Sequence, residues 1–177
     1  VLILFLGIYS CSVHEYKGDR PKYVFFLIGD GMGSSQVTGT QFYLTERAGR
    51  IGLDSLSFTG FPVTNVVSTY SAFNAITCSA AGTALATGMR TSNGTIGKDA
   101  IHSKDVYSIA VKAKERGMGV GIATSVSIDH ATPASFYAHQ PSRSMYYEIA
   151  MDAIKADFDL YAGSGFLQTR SLTDSAA

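Results

Sequence analysis

The chain has 177 residues, 46% of them hydrophobic and 16% charged, which excludes a disordered chain and supplies the core of one ordinary domain. Lys plus Arg number 14 and Asp plus Glu 14, so the net charge is zero and no cationic surface marks a general nucleic-acid binder. Two cysteines, at 11 and 78, cannot build a disulfide framework.

The chain opens on Val1, and residues 1–9 are a continuous apolar run. That is short of the roughly 20 residues of a membrane-spanning helix. It matches the apolar part of a secretory signal, about 7–15 residues long. Ile8, Tyr9, Ser10 and Cys11 resemble the bacterial lipoprotein cleavage box, in which the cysteine becomes the lipidated first residue. Residues 1–11 therefore read as a signal and lipobox-like segment, and 12–21, which are polar, as a tether. The expectation is an exported protein, periplasmic or membrane-anchored through Cys11. The alternative is a buried strand with an incidental cysteine. Residues 167–177 supply no closing element, and the chain reads as a fragment at both ends.

Residues 23–28 are predicted as a strand buried on both faces and hence parallel. A glycine-rich turn follows at 29–33. A helix is expected over 34–47, with Ser34 or Ser35 as N-cap, and a second strand within 61–69. Residues 79–88 read as an Ala-rich helix ended by Gly88. Next come a helix over 105–116 capped by Asp105, a buried strand over 119–126 and a helical turn opened by Pro133. A helix over 142–156 and a strand over 158–162 complete the series. This order predicts an α/β fold, a parallel central sheet flanked by helices. Ligands in such sheets sit at the carboxyl ends of strands.

Three turns at such positions carry chemistry. In the first, Asp30 stands between Gly29 and Gly31. A dinucleotide loop would need a third glycine where Ser34 stands. A carboxylate held by glycines at a strand end suits a divalent cation; the plain reading is a solvated turn aspartate. The second turn offers Thr77, Cys78 and Ser79 at a helix N-terminus, where the dipole attracts anions and activates a nucleophile. The plain reading there is an N-cap. In the third, Ser127, Asp129, His130 and Thr132 follow a strand, with His139 and Arg143 downstream. Arginine is the bidentate clamp for phosphate, although a lone one is usually a surface residue.

Taken in order, these motifs resemble the alkaline phosphatase family. They are the glycine loop at 29–33, residues 76–88, 93–97, the helix ending at 112–117, residues 130–134, His139, the Ser142–Arg143 pair and residues 156–165. The resemblance covers about 22–165. It implies that residues 22–177 are the N-terminal portion of a phosphatase domain, incomplete at the C-terminus. It further implies a metal-dependent phosphate monoester hydrolase working through a phosphoserine, with two Zn2+ and one Mg2+ in a complete homologue. By the same resemblance Ser79 is the nucleophile and a zinc ligand, and Asp30 bridges zinc and magnesium. Thr132 binds magnesium, His130 reaches it through water, and Arg143 clamps the phosphate.

Cys78 stands where the family has an aspartate, and the nucleophile helix is one residue short. Counting back from Gly88 puts the nucleophile on Cys78 instead, so the order of candidates is Ser79, Cys78, Thr77. The family's remaining zinc ligands lie in its second half, so the chain is expected to hold part of the metal site and to be inactive alone. Expected partners are small phosphate monoesters, a lipid at Cys11 and a second copy in a homodimer. The alternatives are an exported phosphate- or metal-binding lipoprotein without turnover, and a phosphodiesterase or sulfatase of the same superfamily.

Overall fold

A computed structural model describes residues 21–73 and 77–170. The signal-like segment with Cys11, the tether up to residue 20 and the tail at 171–177 lie outside the described residues. The elements are α1 (Ser34–Arg47), a short 3-10 helix (Ser57–Gly60), α2 (Cys78–Thr87), α3 (Ile109–Glu115), β1 (Gly121–Ala123), α4 (Ala131–Ala134), α5 (Tyr146–Ala156) and β2 (Leu160–Ala162). β1 and β2 pair in parallel, with Gly121 opposite Leu160 and Ala123 opposite Ala162. α4 and α5 lie in the crossover between them, as a parallel pair requires. The fold is α/β.

The helices form where composition and capping expect them, with their starts displaced. Gly33 rather than Ser34 or Ser35 caps α1, its amide donating to the Gln36 side chain at 3.0 Å. Thr77 caps α2 by accepting from the Ala80 amide at 3.4 Å, and Gly88 closes the helix in the left-handed region. Ser108, not Asp105, caps α3, accepting from the Val111 amide at 3.1 Å. Asp105 is drawn away into an ion pair with Lys98 at 2.5 Å, across the base of a hairpin. α4 starts at Ala131, so Pro133 lies within it. α5 starts at Tyr146 instead of 142, because the Met145 amide turns back to the Ser142 carbonyl at 3.2 Å.

The strand expectations need correction. Among the described residues, 23–28 and 61–69 form no strand, and β1 covers three residues of the run expected over 119–126. Tyr23 is 70% exposed, Leu27 88% and Val66 94%, so neither early run is buried. A parallel strand is stable when its edges are paired and both faces covered. Here Phe26 meets the core, edge to face with Phe136 at 5.9 Å between ring centroids. A cleft of about 470 Å³ separates residues 26–30 from 122–126. β1 is itself half-exposed, and Asp159 ends its ladder by accepting from the Val120 amide at 2.7 Å.

The core is drawn from residues 80–158, with Ile96, Ala131, Ala134 and Ile149 fully buried. α2 and α4 are in close contact because Gly82 has no side chain: a Cβ there would lie 2.6 Å from Ser135 Oγ. That approach sets the helix bearing Ser79 against the helix bearing Thr132. No helix among the described residues is long and apolar enough to cross a membrane.

Candidate active site

The candidate residues stand in two sets of contacts, one through Thr132 and one through His130, two residues earlier in the chain. Asp30 follows the exposed 23–28 segment, in a turn closed by the Met32 amide on the Gly29 carbonyl at 3.1 Å. Its Oδ2 accepts from Thr132 Oγ1 at 3.0 Å. His130, the N-cap residue of α4, lies with Nε2 3.3 Å from an Arg143 guanidinium nitrogen. Arginine can only donate, so Nε2 accepts and the ring proton sits on Nδ1. Nδ1 is buried and has no protein partner.

The Arg143 amide donates to the Gly94 carbonyl at 2.6 Å. Beside Gly94, Asn93 Oδ1 lies 3.5 Å from Thr77 Oγ1, which lies 3.3 Å from Ser79 Oγ. Ser79 is fully buried, and its carbonyl accepts from Ser135 Oγ at 3.5 Å. Cys78 is a free, half-buried thiol resting on the hydrophobic core. Thr77 is half-buried at the head of α2.

The other sequence candidates turn elsewhere. His139 donates from Nδ1 to the Gly97 carbonyl at 2.7 Å, a bracing contact. Asp129 is fully buried; its Oδ2 accepts from the Leu167 and Gln168 amides at 2.8 and 3.4 Å, while Oδ1 has no protein partner. Burial, helped by the negative charge of Asp129, pushes the Tyr137 phenol far above its ordinary value, and the phenol donates to the Ile128 carbonyl at 2.5 Å.

A carboxylate and a hydroxyl in contact, Asp30 and Thr132, suit a hard cation such as Mg2+. That ion accepts one or two carboxylates and keeps several waters. A zinc set is not assembled: among the described residues no three His, Cys, Asp or Glu side chains converge. In the sequence, Asn93 and Gly94 stand out only as part of the 93–97 motif. Their placement between Thr77 and Arg143 had one sequence signal, the Asn-Gly turn dipeptide.

The alkaline phosphatase family model matches residues 21–161. The chain is 33% identical over 174 residues to the streptomycin-6-phosphate phosphatase of Streptomyces griseus, covering 97% of this chain and 39% of that protein. Among solved structures, a cold-active alkaline phosphatase from Shewanella sp. superimposes with a TM-score of 0.68 at 34% identity, over 75% of this chain and 33% of that one. A mutant TAB5 alkaline phosphatase with Mg bound in its M3 site superimposes with a TM-score of 0.58 at 33% identity, over 62% of this chain and 32% of that one. The chain thus spans well under half the length of these relatives.

Proposed function

The chain belongs to the alkaline phosphatase family, and from that premise we propose that it is the N-terminal part of a metal-dependent phosphate monoester hydrolase. The Asp30–Thr132 contact carries this reading, because it joins two oxygen ligands, one in a turn and one in α4, 102 residues apart. In this reading Asp30 and Thr132 hold Mg2+, with His130 reaching it through water. The bound cation would neutralise charge on the transferring phosphoryl group. Arg143 donates to the phosphoryl oxygens. Ser79 Oγ attacks phosphorus, the bond from phosphorus to the ester oxygen breaks, and the alcohol leaves. Water then cleaves the phosphoserine and releases phosphate. The N-terminus of α2 favours the anion throughout. Two zinc ions belong to the proposal only through the family, and no step above runs through them.

The run 1–9 followed by Cys11 supports export and a lipid at Cys11. The exposed apolar surface of residues 21–73 is surface that the rest of the domain or a second copy would cover. The full burial of Ser79 favours a second reading, phosphate binding without turnover. The deciding experiment uses the complete protein of which this chain is proposed to be the N-terminal part: it assays a chromogenic phosphate monoester with Mg2+ and Zn2+ present, and measures inorganic phosphate binding in parallel. Turnover that is lost in Ser79→Ala, with phosphate affinity reduced at least about tenfold in Arg143→Ala, is expected. Phosphate binding without turnover would establish the second reading, and neither activity would overturn both.

A further inference from the structure

Outside the run of candidate residues, one side chain stands out for its geometry. His102 has φ of 59°, in the left-handed region that non-glycine residues seldom adopt. It lies at the tip of a hairpin whose arms join through Lys98 and Asp105 and through the Val106 amide on the Gly97 carbonyl at 2.8 Å. Its backbone closes the tip, the His102 amide donating to the Asp99 carbonyl at 3.1 Å. Its ring turns back off the tip toward the segment that precedes the hairpin.

There Nε2 lies 2.7 Å from Ser92 Oγ and 2.7 Å from Thr95 Oγ1, and the two hydroxyls are 2.7 Å apart. Each of the three contacts needs one donor. The proton count closes in one arrangement: Nε2–H is shared between both oxygens, Ser92 donates to Thr95, and Thr95 donates to the Pro141 carbonyl at 3.4 Å. Thr95 is fully buried, so this triangle lies at the inner face of the segment. Between Ser92 and Thr95 sits Gly94, whose carbonyl takes the Arg143 amide at 2.6 Å. The 92–95 turn therefore grips the 141–143 stretch at two points, and the His102 ring is the group that holds its two hydroxyl residues together.

We propose that His102 is a positioning residue: by binding Ser92 and Thr95 it fixes the 92–95 turn and, through Gly94, the place of Arg143. That Arg143 meets phosphate rests on the function proposed above; that His102 sets its backbone does not. A hairpin staple of purely local effect would leave Arg143 unchanged. The left-handed backbone and the ring can be separated by substitution. His102→Gly accepts the backbone and removes the ring. His102→Gln places an amide nitrogen at the same bond count as Nε2 and restores the donor.

The test is amide hydrogen exchange by NMR on the full chain, with Arg143 read against Ile149. The Ile149 amide is bonded to the Met145 carbonyl at 2.9 Å in the core and reports general opening. In His102→Ala and His102→Gly the Arg143 amide should exchange about tenfold or more faster with Ile149 unchanged, and His102→Gln should restore protection. Unchanged protection at Arg143, or equal loss at Arg143 and Ile149, would overturn the proposal. Should the alanine variant not fold, the glycine and glutamine variants make the same comparison. A second arm titrates inorganic phosphate. Weaker binding in His102→Gly, recovered in His102→Gln, is expected; equal binding in the glycine variant and wild type counts against the proposal. A complete wild-type protein that binds no phosphate defeats the functional reading, while the exchange data still decide the part played by His102.

Discussion

At Gly97 the backbone has φ of 59°, and a Cβ would press into the Ala138 carbonyl oxygen and come 2.8 Å from His139 Nδ1. Its amide donates to the Thr83 hydroxyl oxygen at 3.1 Å, so α2, the hairpin and the 138–139 segment meet at this one residue. Gly97→Ala should lose about 3 kcal/mol, from overpacking of about 1–3 kcal/mol and a left-handed penalty of about 1–2 kcal/mol. Urea unfolding followed by circular dichroism measures it, and a loss under about 0.5 kcal/mol would show that the junction yields. At this scale the sequence was informative where chemistry is local to a turn. The sequence marks Asp30, His130 and Thr132 within its turns and Arg143 downstream of them through the family resemblance, and the four meet in two hydrogen-bonded pairs. Asn93, Gly94 and His102 were not picked as site residues. All three act through backbone or hydroxyl partners, and the contacts of Gly94 with Arg143 and Asn93 with Thr77 join separate segments of the chain.

Among the elements, α5 is tied to the site segment by Asp152. This buried carboxylate accepts from the His139 amide at 3.1 Å, Gln140 Nε2 at 2.6 Å and Lys155 Nζ at 2.8 Å. Burial pushes the Asp152 carboxyl up, but the hydrogen bonds from Lys155, His139 and Gln140, with the Lys155 charge, outweigh it and hold it below its ordinary value. A carboxyl lowered on folding contributes stability that is full above the unfolded value of about 3.9 and is lost as pH falls through the folded value. Asp152→Asn should therefore cost about 1–3 kcal/mol at neutral pH and narrow the gap to wild type in acid. Thermal melts from pH 7 down to about 3 check this, and a gap that widens in acid would reverse the sign of the argument. Helices were the legible elements, because caps and Ala-rich or periodic runs act within a few residues. The runs at 23–28 and 61–69, expected as strands, form none, because an apolar run favours burial, while pairing depends on an edge supplied from elsewhere.

At the scale of the whole molecule, the core of the described residues lies after residue 79, and the segment before residue 74 adds little to it. Thr45 and Ser71 are the buried residues described before residue 74, while Phe25, Leu27, Val63, Val66 and Val67 are each more than half exposed. Apolar surface and unpaired edges of that kind associate. Sedimentation velocity should show a mass that rises with concentration, and Leu27→Lys with Val67→Lys should return it to a monomer. Identical behaviour of the variant and the wild type would place the contact elsewhere. The same division orders the assembly of the site in time. The Arg143–His130 contact closes 13 residues of chain, whereas Asp30–Thr132 closes 102. Loop-closure entropy makes the longer closure costlier by about 2 kcal/mol, before any packing offsets it. The carboxylate–hydroxyl pair is thus the late-forming part of the site, completed only when the segment anchored by Phe26 settles against Phe136. On the Mg2+ role proposed for Asp30 and Thr132, uptake of the cation during refolding should follow formation of the helices, and a cation pulse given at successive delays would read the clock of that final closure.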